Sequence, residues 1–133
     1  MRMIAVDTNV IVRLIANDNA KQAKTSADLI KNNRIFVPKT VLLECEWVLR
    51  HTYELDRDRI VEAFKRLASI SQVQIEDDSR VIEAIELFEN GMDFADALHL
   101  TSSPPAEQFA TFDKKLVNQA KKYIESPDVL RLK

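Results

Sequence analysis

Asp93-Phe-Ala-Asp-Ala-Leu-His-Leu100 is the stretch on which the reading of this chain turns. Phe94, Ala97 and Leu98 recur at helical spacing, so the segment reads as a helix that runs on to Ser102. Asp93 and Asp96 lie three residues apart and therefore share one side of it. A carboxylate set between Ala95 and Ala97 on a packed helix is costly unless something needs its charge.

On both sides of this helix the pattern alternates strand and helix. Before it, Val81, Ile82, Ile85 and Phe88 fall at helical spacing behind the capping residues Asp77, Asp78 and Ser79. Gly91 ends that helix as a left-handed C-cap. After it, Ser102-Ser103-Pro104-Pro105 is a stop, Gln108 to Phe112 is a strand, and Asp113 precedes a helix from Lys114 to Tyr123. Val129 to Leu132 is a last short strand. Towards the N-terminus, Met3–Val6 is an apolar run of strand length, Ile35–Val37 is a second strand and Val73–Ile75 a short third one. Between them lie helices from Val10 to Ile15, Lys21 to Asn33, Thr40 to Tyr53 and Arg57 to Ile70, the last capped by Asp56 and Asp58. Helical segments separate all the strands. The expectation is one α/β domain over residues 1–133, with a central parallel sheet of about five strands and helices on both faces.

Scarce residues exclude much chemistry. Gly91 is the only glycine among 133 residues, which rules out glycine-rich phosphate loops and a Gly-x-Ser-x-Gly elbow. Cys45 is the only cysteine and His51 and His99 the only histidines, so thiolate or imidazole metal centres lack ligands. Carboxylates remain, and as hard oxygen donors they suit Mg²⁺ or Mn²⁺. The net charge of −2 is not that of a general nucleic-acid binder. No apolar run approaches membrane-spanning length, and the N-terminus meets Asp7 too early for a signal peptide. A cytoplasmic protein with no membrane partner is expected.

Asp7 and Asp113 share a context: apolar strand, acid, helix. Asp7 reads equally as an N-cap and as a ligand at the carboxyl end of a strand. In one parallel sheet both acids would emerge on one edge. Glu44 and Asp96 sit on apolar faces or their margins and are expected to point inward; Glu46 lies on the opposite edge of its helix. Several inward carboxylates meeting at one place are tolerable if a divalent cation neutralises them. Metal-assisted hydrolysis of a phosphodiester uses such a pocket. Leu43 and Trp47 point away from the main stripe of their helix, either to pack on a neighbour or to form a partner surface.

Four words occur in order: Val-Asp-Thr-Asn-Val, Val-Leu-Leu-Glu-Cys-Glu-Trp-Val-Leu, Asp-Phe-Ala-Asp-Ala-Leu-His-Leu and Ala-Thr-Phe-Asp-Lys-Lys-Leu. This series resembles the PIN-domain family, in particular the small VapC-type toxins of toxin–antitoxin pairs, over essentially the whole chain. The resemblance implies an Mg²⁺- or Mn²⁺-dependent endoribonuclease, the toxin of a type II pair. It implies acidic catalytic and metal ligands at Asp7, Glu44, Asp96 and Asp113. It also implies auxiliary roles for Asp93, Thr8, Thr111 and Asn9. His99 is within reach of the same site or is a hydrogen-bonded structural histidine. The implied partners are an RNA substrate, a cognate antitoxin, a second copy in a homodimer, and DNA only through the antitoxin. RNA contact would then rest on few cations, with Arg13, Lys39, Lys114 and Lys115 as candidates. The other readings are a housekeeping RNA-processing nuclease and a non-catalytic antitoxin-binding module of a DNA-bound complex. The chain departs from the family at Thr101–Glu107, where Pro104-Pro105 stands in place of a longer Ala/Gly-rich segment.

Overall fold

The strands and helices of the computed structural model follow the hydrophobic periodicity closely. It describes residues 2–133. The chain divides into two compact units, one ending at Asp78 and one running from Ser79 to Lys133.

The first unit contains β1 (Met3–Ala5), α1 (Thr8–Ala16), α2 (Ala20–Asn32), β2 (Arg34–Val37), α3 (Lys39–His51), α4 (Arg57–Ser69) and β3 (Val73–Ile75). The strands pair in parallel in the order β1-β2-β3, with Ile35 opposite both Ile4 and Val73. Helical crossovers make parallel pairing the default here. Ile35 and Val37 of the central strand are fully buried, as are Ile11, Leu42, Leu49, Ile60 and Phe64 from three of the four helices. Side-chain caps start α1, α2 and α4: Asp7 accepts from the Thr8 N–H, Asn19 from Gln22 and Asp56 from Arg59. Each satisfies a backbone donor that the first helical turn leaves without a partner.

The second unit contains α5 (Asp78–Glu89) from its second residue on, α6 (Phe94–Thr101), β4 (Gln108–Thr111), α7 (Lys114–Tyr123) and β5 (Asp128–Arg131). Gly91 has φ of 108°, and the Gly91 and Met92 N–H groups donate to the Phe88 and Leu87 carbonyls. This is the Schellman closure expected of a glycine just past a helix. It redirects the chain so that Phe94 meets Phe88 edge-on, with ring centroids 5.4 Å apart. Between α6 and β4, the Ser103 hydroxyl donates to the His99 carbonyl and the Ala106 N–H to the Ser103 carbonyl, a tight turn that needs no glycine.

One expectation is corrected. The five strands do not form one sheet: β1-β2-β3 is a three-stranded parallel sheet, and β4 and β5 form a separate parallel pair, Gln108 to Thr111 alongside Asp128 to Arg131. Helical spacing between strands predicts that they run parallel but does not say which are neighbours. The composition carries the distinction. Ile-Phe-Val is a continuous apolar run in a buried strand, whereas Gln-Phe-Ala-Thr and Asp-Val-Leu-Arg are only half buried. No helix among the described residues is long and apolar enough to cross a membrane.

Candidate functional site

In the first unit, β1 and Val6 deliver Asp7 to the start of α1. Its Oδ1 accepts the Thr8 N–H at 2.7 Å, and its carbonyl accepts from Val10 at 3.1 Å. Asp7 is exposed, while Thr8 beside it is buried and its hydroxyl donates to Glu44 Oε1. The Cys45 thiol lies 3.8 Å from the Thr8 carbonyl. It is pushed up to about 12 by burial first, then by the negative charges of Glu44 and Asp7. Asp7, Thr8 and Glu44 thus form one neighbourhood around the Thr8–Cys45 contact.

Glu44 does not point inward as expected; it is exposed. The buried positions of α3 are Leu42, Cys45, Glu46 and Leu49, so the apolar stripe is turned towards Glu46 and away from Glu44. The cause is Arg50. Its Nε lies 2.6 Å from Glu46 Oε2 and its Nη2 3.2 Å from Oε1, which lets a carboxylate only 2 % exposed sit within the stripe. Glu46 is an internal ion-pair partner.

In the second unit, Asp93 caps α6 and accepts the Asp96 N–H at 3.2 Å. Asp96 is half-buried one turn on. Its carboxyl is held above the ordinary carboxylate range by burial first, then by Asp93 and by Asp113; His99 and Lys115 pull the other way. Asp113 caps α7, its Oδ1 accepting from Lys115 at 2.9 Å and Leu116 at 3.3 Å. The Asp113 N–H donates to Thr111 Oγ1 at 3.0 Å, so Thr111 sets the turn that presents this acid. His99 is exposed, and its imidazole makes no hydrogen bond among the described residues, contrary to the structural alternative.

Both units therefore place acids where a strand or loop hands over to a helix, and each pairs an acid with a threonine. The argument that Asp7 and Asp113 leave one edge of one sheet does not survive the division into two sheets. Among the described residues, no group of three or more His, Cys, Asp or Glu side chains is arranged to hold an ion. The donor chemistry nevertheless fits a hard divalent cation: the acids offer carboxylate oxygens, and the partly desolvated Asp96 sits among further negative charge that a cation would offset.

The cations singled out by sequence divide into two kinds. Arg13 is committed: its Nη1 bonds Asp18 at 3.0 Å and the Tyr53 hydroxyl at 2.8 Å, and its Nε bonds Gln22 at 2.7 Å. Lys39 pairs with Asp77 at 2.9 Å. Lys114 and Lys115 are exposed at the start of α7 beside Asp113. Sequence reasoning missed the Arg13 network, because Tyr53 lies far along the chain. It also missed the link between Thr8 and Glu44, for which the only signal was that both occur in motif words. Asn9 is exposed and lines a cavity of about 480 Å³ between α1 and α2.

Neither the curated proteins nor the solved structures include a match to this chain. A family model does match it: the one described as PIN domain, over residues 4–122. PIN domains are generally metal-dependent nucleases. The match runs from β1 through α7 and takes in all the acids described above, and on it the chain belongs to the PIN-domain family.

Proposed function

We propose that this chain is a metal-dependent endoribonuclease that hydrolyses RNA phosphodiester bonds, and that it is the toxin of a type II toxin–antitoxin pair. Asp7, Glu44, Asp96 and Asp113 are the carboxylates on which cleavage depends. The observation that carries the reading is Asp96, kept half-buried and next to Asp93 and Asp113 although each of these disfavours its charge. Structures retain such an arrangement where the charge is used, and perturbed carboxylates cluster at functional sites.

Bound Mg²⁺ or Mn²⁺ supplies an activated water and offsets charge on the phosphoryl and leaving oxygens. The chain's own residues orient the acids. Thr8 donates to Glu44 and fixes one of its oxygens. Asp93, as cap, anchors the first turn that carries Asp96. Thr111 holds the backbone at Asp113. Lys115 sets positive charge beside Asp96 and tempers the repulsion an incoming phosphate meets. A cognate antitoxin restrains the activity by placing a basic side chain against these acids. The protein acts in the cytoplasm as a homodimer and reaches DNA only through that antitoxin.

The test uses purified protein and a structured RNA. Cleavage with Mg²⁺ that EDTA stops, and that Asp7→Asn and Asp96→Asn each abolish, is the expected result. Unchanged cleavage by both variants removes the assignment of these acids. Absence of any cleavage by the wild-type protein favours the antitoxin-binding module instead. Growth arrest on expression, relieved by Asp96→Asn, separates a toxin from a housekeeping nuclease.

A further inference from the structure

The cavity beside Asn9 belongs to a longer trough. Its lining is polar apart from Val10, and it includes Arg13, Asn19, Lys21, Gln22 and Thr25. A second cavity of about 340 Å³ shares Val10, Thr25 and Ser26 with it and continues along α2 past Asp28 and Leu29 to Asn32 and Asn33. The trough therefore follows α2 over most of its length. It begins at Asn9, next to Thr8 and two residues beyond Asp7.

Its hydrogen-bonding groups are sorted by kind. At the Asn9 end, Asn19 Oδ1 is used by the Gln22 N–H and Gln22 Oε1 by Arg13 Nε, which leaves the Asn19 and Gln22 amide NH₂ groups as donors. Arg13 Nη2 makes no hydrogen bond among the described residues, although Nη1 and Nε are held by Asp18, Tyr53 and Gln22. The guanidinium is therefore pre-ordered with one donor edge left over, and little rotamer entropy remains to be lost on binding. Lys21 adds an exposed ammonium. At the far end, Asn32 and Asn33 spend their NH₂ groups on the Asp28 and Leu29 carbonyls and present acceptors. A peptide would look for buried apolar anchors, and the apolar side chains of this lining are only Val10 and Leu29. Its one carboxylate, Asp28, lies towards the far end and is paired with Lys24 at 3.1 Å. Donors and cations at one end, with acceptors at the other, match a polyanion that also carries hydroxyls and base edges.

We infer that the α1–α2 trough is a subsite for single-stranded RNA flanking the scissile bond, with a phosphate at the Arg13–Lys21 end. The inference rests on the ribonuclease reading and names where its substrate lies. It also accounts for how a chain of net charge −2 holds RNA: contact is concentrated at a few ordered donors.

The test is fluorescence anisotropy of a labelled single-stranded RNA in EDTA, where no cleavage occurs, as a function of salt. Two variants are used. Lys21→Glu reverses one exposed charge. Asn19→Asp keeps the cap, since Asp serves as well as Asn there, while removing a donor and adding negative charge. Each is expected to raise Kd about tenfold. Lys21→Glu should also flatten the log–log salt slope by about 0.7, the loss of one phosphate contact. Wild-type Kd and slope in both variants overturn the inference, as does failure of the wild-type chain to bind RNA. RNA bound through Lys21 and Asn19 yet left intact in Mg²⁺ upholds the trough and overturns the nuclease reading alone.

Discussion

Glu44 and Glu46 lie two residues apart on α3, and substituting each should have opposite consequences. Glu46 is 2 % exposed and bidentate to Arg50, whose own side chain is 42 % exposed. Arg50→Ala leaves a carboxylate buried without its cation, a class of change that costs about 3–5 kcal/mol when both partners are buried. Half-exposure of Arg50 lets water reach part of that site, so the lower bound, about 3 kcal/mol, is expected. At about 2.1 cal/mol/K per residue, a chain of 133 residues loses about 3.5 °C of melting temperature per kcal/mol. Arg50→Ala should therefore melt about 10 °C below wild type. Glu46→Gln keeps the shape and one acceptor for the guanidinium, and should cost about 1–2 kcal/mol. Glu44→Gln, at an exposed position that keeps an acceptor for Thr8, should stay within about 0.5 kcal/mol. The readouts are thermal melting by circular dichroism and urea titration with unchanged m-value, alongside RNA cleavage per folded molecule. Glu44→Gln should be stable and inactive, and Glu46→Gln destabilised and active while folded. An Arg50→Ala variant within about 0.5 kcal/mol of wild type would refute the ion-pair account. A stable but inactive Glu46→Gln would reverse the roles of the two acids.

Three further outcomes follow from the geometry. Asp96 has its proton held more tightly in the folded chain than the ordinary value of 3.8, so its penalty is absent at lower pH and grows as pH rises through the folded-state value. Asp96→Asn should gain stability over wild type between acid and neutral pH in metal-free urea titrations; a constant or shrinking difference contradicts this. Cys45 is fully buried with its thiol raised to about 12, so a thiol reagent should modify native protein only as fast as it opens, and rapid labelling in native buffer would contradict its burial. Trp47, 55 % exposed and in tilted contact with His51 at a centroid distance of 4.5 Å, is the candidate anchor of a homodimer. Trp47→Ala should shift sedimentation towards monomer, and an unchanged dimer removes this face of α3 from the interface.

Local signals in the sequence were read well and non-local ones poorly. Val73–Ile75 is the short strand expected there, Gly91 ends α5 in the predicted left-handed turn, and Asp56 is the predicted cap. Each is decided by a few neighbouring residues, where φ preference, capping and periodicity act directly. The split of five strands into two sheets was not read, because strand neighbours are chosen by packing over long separations. Glu44 was turned the wrong way for a related reason. A stripe drawn from hydrophobicity alone omits Glu46, yet its pairing with Arg50 one turn later makes it buriable. That i,i+4 pair was visible in the sequence; its burial was not. The Arg13–Tyr53 contact had no local trace at all.

Asp7 caps α1, and capping leaves it able to act as a ligand as well. A carboxylate has two oxygens and about four acceptor sites. Asp7 spends Oδ1 on the Thr8 N–H, and Asp113 spends its own Oδ1 on Lys115 and Leu116; neither Oδ2 accepts a hydrogen bond among the described residues. Capping fixes the rotamer and leaves the second oxygen open, so a capping acid can also serve as a ligand. The two roles separate by substitution. Asp7→Asn retains an oxygen that caps as well as Asp, and loses the charge. Asp7→Ala loses both, at about 1 kcal/mol, or about 3–4 °C for this chain length. Both variants should fail to cleave RNA, while only Asp7→Ala melts earlier. Equal destabilisation would mean that Oδ2 is structural as well. Cleavage by Asp7→Asn at the wild-type rate would mean that the cap is all Asp7 does.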